Sequence, residues 1–514
     1  MQEWWKSAVF YQIYPRSFLD TNADGIGDLR GISEKLDYLA NELGVTCLWL
    51  SPIQCSAHQD FGYDISNYCD VDPIFGSMVD FNNLIDQVHR RGMKLILDGV
   101  FNHSSDQHPW FQASRKPNSQ KREWYIWRDK IPNNWASVFG GKAWTKDSNG
   151  SYYLHSFLPS QPELNWRNED LRQAIYQSMR FWLDLGIDGF RLDVFNCYLK
   201  HKELLSNPYR FDPVGMLSRL VYPYINQHHI HDRDQPELFE VLKEMRSIVD
   251  QYDGVLVGET LDERFLYAKA SQYCGSEKLH LTFDFRLLHS RFGAKSFHNA
   301  IVHSVNTTWP SWVLSNHDFR RHASRWGSDP RKLKLLAVLS LTLKGTPFLY
   351  YGEEIGMTEG SLRKQEIVDP IGKTFWPFFK GRDGCRTPMQ WDGSKNAGFT
   401  SNQPWLPVQP GYVQTNVAQQ IAEEGSILST YRNVIRLRKR IAALSVGDMQ
   451  LPQKPHPVIL NWVRFTPNER VGVVLNMSKK PHKWNWEGEL LYRTGEGNST
   501  TLAAFEAVIY RENE

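Results

Sequence analysis

Four acidic residues stand at or near the ends of short apolar or β-branched runs: Asp98 in KLILDGV (94–100), Asp193 in GIDGFRLDV (186–194), Glu259 in GVLVGET (254–260) and Asp318 in SWVLSNHD (311–318). Asn102 and His103 follow the first, Arg191 precedes the second and His317 precedes the fourth. Carboxyl groups in such company suit acid–base or glycosyl chemistry, in which one ionised group attacks carbon while a protonated one donates to the leaving oxygen. A single strand-end Asp could equally cap the helix that follows it. Four together argue for a shared site, provided the chain brings the ends of distant segments to one place.

The runs that carry them predict how this happens. Adding AVFYQIY (8–14), VTCLWLS (45–51), LHLTFDF (279–285) and TPFLYYGEE (346–354) gives eight strand-like segments. Helical patterns intervene at 32–43, 81–92, 169–186 and 331–345. Alternation of this kind predicts an α/β fold, a (β/α)8 TIM barrel, whose parallel strands converge at their C-terminal tips on one face. Residues 1–102 and 166–443 are assigned to the barrel, with an irregular insertion at about 357–412. The Trp-, Asn-, Pro- and Gly-rich stretch 103–165 reads as an inserted subdomain after strand three. Period-two segments such as VILNWVRF (458–465) and RVGVVLNM (470–477) predict a C-terminal antiparallel β domain over 444–514.

Composition narrows the partners. A chain of 514 residues is long enough for about three domains at roughly 150 residues each. Its 59 basic and 57 acidic side chains leave a formal charge of only +2, which removes the electrostatic motive for binding nucleic acid or an anionic membrane. No apolar run reaches the ~18 residues of a membrane span, and the first residues do not read as a signal peptide. Six scattered cysteines without CxxC spacing predict free thiols in a reducing, cytoplasmic setting rather than a zinc site. Aromatic residues make up 13% of the chain, which suits flat, weakly polar ligands such as sugars. The expected partner is a small oligosaccharide, and the expected state a monomer or small homo-oligomer.

The segments DGVFNH (98–103), GFRLDV (189–194), VGET (257–260) and SNHD (315–318), with QPELN (161–165) as a fifth, closely resemble the signature regions of the α-amylase family, glycoside hydrolase family 13. The resemblance implies Asp193 as nucleophile, Glu259 as general acid/base and Asp318 as the third carboxylate, which grips sugar hydroxyls. Arg191 lies two residues before Asp193, hence on the same side of a strand, where it can hold the nucleophile ionised. Burial beyond the apolar GVLVG run would raise the pKa of Glu259 toward that of a useful acid. His103 and His317 resemble the family's hydrogen-bonding histidines, and Asp60 and Tyr63 the pair that meets the terminal sugar. Arg382 resembles the arginine that pairs with that aspartate, although Arg386 four residues on fits nearly as well. Phe139 and Phe157 are expected either to wall the pocket or to pack in the core.

The same resemblance implies a structural metal. In DTNADGIGD (20–28), the side chains of Asp20, Asn22, Asp24 and Asp28 and the carbonyl of Ile26 offer oxygen ligands around a glycine turn, as Ca²⁺ or Mg²⁺ requires. No organic cofactor is expected. QPELN resembles the oligo-1,6-glucosidase and α-glucosidase branch, with Glu163 where that branch has Asp, and Val194 matches the residue that accompanies α-1,6 cleavage. The implied activity is that of a retaining exo-α-glucosidase on short oligosaccharides, α-1,6 links included. Alternatives on the same scaffold are a transglucosylase or sucrose/trehalose isomerase and an α-1,4-preferring maltase. An inactive carbohydrate-binding or transporter-associated homologue would lack these acids, all of which are present.

Overall fold

The structure, a computed structural model, describes residues 3–211, 222–261, 271–305 and 309–513. Eight parallel strands close into a barrel: Phe10–Ile13, Cys47–Leu50, Lys94–Gly99, Gly189–Leu192, Val255–Gly258, Leu281–Asp284, Ser311–Val313 and Thr346–Tyr350. Each pairs with its neighbour in sequence order, and the last pairs with the first through Phe10 opposite Phe348. The strands are buried on both faces, which is why they read as nearly unbroken apolar runs.

Side-chain parity then decides what faces the barrel axis. Phe10, Trp49, Ile96, Val255, Val257, Phe283 and Phe348 pack into one cluster, whereas their strand neighbours Tyr11, Leu48, Leu95, Leu97 and Leu256 belong to the larger cluster shared with the helices. Stepping by two from the inward set leads from Ile96 to Asp98 and from Val257 to Glu259; on the fourth strand the same parity joins Arg191 to Asp193. The inward rows are therefore apolar at depth and turn ionisable at their C-terminal ends, the barrel rim where active sites form.

The covering helices follow their sequence signals. Met78–Arg90 starts with a capping box between Ser77 and Asp80, and the side chains of Asn168 and Asp329 cap Glu169–Asp184 and Pro330–Thr342. Two expectations need correction. The single helix expected over 32–43 is divided into Leu29–Glu34 and a wider turn, Tyr38–Leu43, that ends at the left-handed Gly44. The seventh strand stops at Val313 rather than 318, so Asp318 sits on a loop. That loop is pinned by its own polar groups: Asn316 Oδ1 accepts the N–H groups of Asp318 and Phe319, and Ser315 Oγ accepts that of His322.

Between the third and fourth barrel strands lies a small sheet of Trp127–Arg128, Tyr152–Leu154 and Trp144–Lys146. The chain ends in a five-stranded antiparallel sheet built from Asp448–Gln450, Ile459–Thr466, Glu469–Asn476, Ala507–Arg511 and Glu489–Arg493. Two fully buried arginines join this domain to the barrel. Arg464, in the sheet, donates to the carbonyls of Thr342 and Leu343 at the end of the Pro330–Thr342 helix, and Arg438, on the barrel side, bridges the carbonyls of Leu341 and Gly345 to that of Leu444. Their donors are spent on helix-terminal carbonyls that burial would otherwise leave unpaired.

Candidate active site

One guanidinium organises the acids. Arg191 is fully buried, and its Nη1 donates to Asp98 Oδ1 at 2.6 Å and to Asp193 Oδ1 at 2.7 Å, while Nη2 donates to Glu259 Oε2. The face of Trp49 lies 5.3 Å from its charged carbon and supplies the inner wall. Two carboxyl groups held on one fork are close neighbours, as a retaining mechanism needs with its spacing of about 5–5.5 Å.

Three carboxyls around one cation leave an excess of negative charge in a dry site, and the protonation equilibria divide accordingly. Burial raises the Glu259 carboxyl well above the usual range; Arg191 opposes the rise and repulsion from Asp193 and Asp318 adds to it, so Glu259 is the group that keeps a proton. Burial also raises Asp193 to about 6 against the opposing pull of Arg191, so at neutral pH Asp193 is ionised. Asp98 is pushed by burial to about 7. Asp318 moves the other way: only half-buried, it is held well below the usual range by His317, Arg382 and Arg386 against the rise that desolvation would give. Arg386 Nη2 lies 3.1 Å and Arg382 Nη1 3.3 Å from its Oδ1. The site thus contains one acid, Glu259, two anions, Asp193 and Asp318, and behind them Asp98, poised near neutrality.

A cavity of about 240 Å³ lies above these groups, small beside the roughly 300–1,000 Å³ of drug-sized sites. Asp60, Tyr63, His103, Phe139, Phe157, Asp193, Val194, Glu259, His317, Asp318 and Arg382 all line it. Arg191, Asp98, Asn102 and Arg386 lie behind that wall rather than on it. Tyr63 and His317 are parallel rings 5.2 Å apart, with Tyr63 Oη 2.6 Å from His317 Nε2 and 3.1 Å from Asp98 Oδ2. Gln12 Nε2 donates to His317 Nδ1 at 2.8 Å, which leaves the proton on Nε2, facing the cavity side. Burial pulls His317 down to about 3 and lowers His103 as well, so both rings are neutral hydrogen-bonding groups.

The choice between the two arginines is settled by contact. Arg382 Nη2 reaches Asp60 Oδ1 at 2.6 Å, whereas Arg386 reaches Asp318 and the carbonyl of His317. Arg382 also leans over the ring of Phe139 and is gripped by Asp369, Oδ1 at 2.8 Å. The paired Asp60 and Arg382 both stand on the pocket wall. Asp369 and Gln161 were not singled out by sequence reasoning. Gln161 Nε2 lies 3.3 Å from Asp60 Oδ2, 3.1 Å from the Tyr63 carbonyl and 3.2 Å from His103 Nε2, and it opens the QPELN segment that was already in view. Asp369 gave no signal, since it lies in an irregular stretch. Glu163, the departure in that segment, is buried, accepts the N–H of Ser156 at 3.1 Å and lies 3.4 Å from Lys200 Nζ.

Val194 follows the nucleophile candidate with φ +36° and ψ +40°. A β-branched residue in the left-handed region carries strain of order 1–3 kcal/mol, tolerated where the surroundings fix it. Here they do: Val194 packs against Phe139, Phe157 and Cys197.

In the loop of Asp20–Asp28, Asp20 accepts the N–H groups of Asn22, Ala23 and Gly25, and Asn22 Nδ2 meets Asp24 Oδ2 at 3.0 Å. Asp28 caps the helix that follows through Gly31 and binds Thr21. The oxygen-only donor set suits a hard cation, while among the described residues no group of three or more Asp, Glu, His or Cys side chains is placed to hold a metal.

A closed parallel barrel with paired acid and carboxylate at its C-terminal rim, in a small pocket, is the framework of a barrel enzyme that acts on a small neutral ligand. Comparison with known proteins agrees and goes further. Residues 12–447 match the α-amylase catalytic domain. The chain is 42% identical to a probable α-glucosidase of Rhizobium meliloti, over 93% of this chain and 90% of that one. It is 39% identical to an oligo-1,6-glucosidase of Parageobacillus thermoglucosidasius, over 96% and 94% of the two chains. Among solved structures, the α-glucosyl transfer enzyme XgtA superposes with a TM-score of 0.92 at 38% identity, covering 100% of both chains. The chain belongs to the α-amylase family and is a glycoside hydrolase.

Proposed function

We propose that the protein is a retaining, exo-acting α-glucosidase that removes terminal non-reducing glucose from short oligosaccharides, α-1,6-linked ones included. The observation that carries this reading is the Arg191 fork, which sets Asp193 beside Glu259, the carboxyl held well above its usual range, in a pocket that the Asp60–Arg382 pair also lines. In this reading glucose enters with its non-reducing end against that ion pair. Asp193 attacks the anomeric carbon as Glu259 gives its proton to the leaving oxygen, and a covalent glucosyl–enzyme forms. Glu259, now a base, takes a proton from water as the water displaces Asp193. Asp318, held anionic, accepts hydrogen bonds from the sugar hydroxyls.

The named activities of the Rhizobium and Parageobacillus relatives support the hydrolase reading. Transfer of the glucosyl group to a sugar instead of water is the second reading, favoured by the likeness to XgtA over the whole chain. A panel of maltose, isomaltose, sucrose and trehalose with products resolved separates them. Free glucose as the main product supports hydrolysis; transfer or isomerised products as the main outcome at high substrate overturn it.

Val194 supports the α-1,6 preference. Replacing one of its methyls by hydroxyl leaves the backbone strain in place and adds a polar group at the pocket edge, worth on the order of 1–3 kcal/mol when unpaired in one linkage and paired in the other. Val194→Thr is therefore expected to lower the isomaltose-to-maltose ratio of kcat/KM by about tenfold; an unchanged ratio refutes the assignment.

The Asp20–Asp28 loop is proposed to take Ca²⁺ or Mg²⁺, with Asp20, Asn22, Asp24, Asp28 and the Ile26 carbonyl as ligands, and to contribute stability alone. Chelation should lower the melting temperature by several degrees and leave activity at 25 °C nearly intact. An unmoved melting curve would show that the loop stands on its own N–H groups. All six cysteines are unpaired, which supports a reducing, cytoplasmic setting, and no described helix is long and apolar enough to cross a membrane.

A further inference from the structure

Arg382 is shared by three carboxylates. Its Nη2 lies 2.6 Å from Asp60 Oδ1 and 2.8 Å from Asp369 Oδ1, and its Nη1 lies 3.3 Å from Asp318 Oδ1. Asp60, Asp318 and Arg382 line the cavity, Asp318 and Arg382 only half-buried, whereas Asp369 is fully buried behind them. Asp369 makes the most complete contact of the three, since its Oδ2 also accepts from Arg382 Nε at 3.1 Å and from the Arg382 backbone N–H at 2.6 Å. A carboxylate that takes both Nε and Nη2 fixes the plane of a guanidinium as well as its position. Burial alone would raise the Asp369 carboxyl, but Arg382 holds it below the usual range, so it stays an anion.

The backbone is shaped for this grip. Asp369 precedes the short helix Pro370–Phe375, and its own N–H donates to Asp383 Oδ2 at 3.0 Å. Gly381, directly before Arg382, has φ +78°, and a Cβ there would stand 2.6 Å from Asp369 Oδ2 and 2.8 Å from the Cα of Gly372. A Cβ on Gly372 would stand 2.6 Å from the Lys380 carbonyl oxygen. Two glycines let residues 369–372 and 380–382 approach closely enough for the side chain and the backbone of Arg382 to meet one carboxylate. Without that carboxylate the guanidinium would have Asp60, Asp318 and no buried partner to neutralise it, and it would occupy the oxygen lone pairs that sugar hydroxyls need. We propose that Asp369 is a positioning residue for recognition of the terminal glucose: it holds Arg382 by the Nε edge, so that Asp60 and Asp318 keep oxygens free for the sugar. This rests on the α-glucosidase reading and concerns affinity rather than bond cleavage, since the carboxyls that cleave the bond are held by Arg191 instead.

Asp369→Asn keeps the shape and removes the charge. It is expected to raise KM for p-nitrophenyl α-glucoside at least about tenfold, and the inhibition constant of free glucose by a similar factor, while kcat falls less than about threefold. Gly372→Ala, which forces the two segments apart and changes no charged group, should give the same split. In an Arg382→Met background, Asp369→Asn should cost less than about twofold more in kcat/KM, because its effect passes through that side chain. A fall in kcat with KM and the glucose constant unchanged, or the same full loss in the Met background, overturns the inference while leaving the glucosidase reading intact. Wild-type enzyme that fails to hydrolyse p-nitrophenyl α-glucoside overturns that underlying reading instead.

Discussion

Asp193→Asn is expected to reduce kcat on every α-glucoside by at least ~10³-fold, because the amide cannot attack the anomeric carbon and no other ionised group is placed to do so. Glu259→Gln should cost as much on isomaltose, whose sugar leaving group needs a proton. It should cost far less in the glucosyl-forming step with α-glucosyl fluoride, since fluoride departs without one. The two carboxyls are thereby told apart: loss of Asp193 disables all donors, while loss of Glu259 spares the donor with the better leaving group. Near-normal turnover of isomaltose by either purified variant would contradict the assigned roles.

The second large effect is expected at Arg191, a residue that touches no substrate. It is the common partner of Asp98, Asp193 and Glu259, and its removal leaves three buried carboxyl groups without a cation. Removing one partner of a buried ion pair typically costs about 3–5 kcal/mol, so Arg191→Met should be markedly less stable. If folded, it should also lose at least ~10²-fold in activity. The pH profile distinguishes a positioning role from simple damage. Asp193 titrates at about 6 and must be ionised to attack, so wild-type kcat/KM should rise with pH through that value. It should fall again when Glu259 loses its proton at higher pH. In Arg191→Met the pull that lowers Asp193 is gone, and the acidic limb should move to higher pH. Arg191→Lys, which keeps a charge without the fork, should recover part of the shift. An acidic limb that stays in place in the Met variant would show that Arg191 does not govern the nucleophile.

The barrel was legible because parity and burial speak through residue type. Runs such as LWL and KLIL can only be strands covered on both faces, and the inward rows they define end in Asp98, Arg191, Asp193 and Glu259. What sequence left open lay where backbone geometry departs from regular repeats. The helix over 32–43 has a smooth apolar pattern and still breaks, since a wider turn at Tyr38–Leu43 keeps Tyr38 and Leu43 inside. Asp318 was placed on a strand because SWVLSNHD begins as one, but hydrogen bonds from Asn316 and Ser315 lift its last residues out of the sheet. Asp369 and Phe379 come from a stretch without periodicity, and only the folded chain shows that one grips Arg382 and the other flanks the pocket mouth. The contest between Arg382 and Arg386, four residues apart, could be decided only by which guanidinium reaches Asp60.

The stereochemistry of the first product tests the central claim most directly. Hydrolysis of p-nitrophenyl α-glucoside, whose leaving group is not a sugar, followed by proton NMR before mutarotation blurs the signal, reports which anomer leaves the enzyme first. Two displacements at one carbon, by Asp193 and then by water, predict α-glucose. Initial release of β-glucose would mean a single displacement by water and would contradict the pairing of Asp193 and Glu259 on which the account is built.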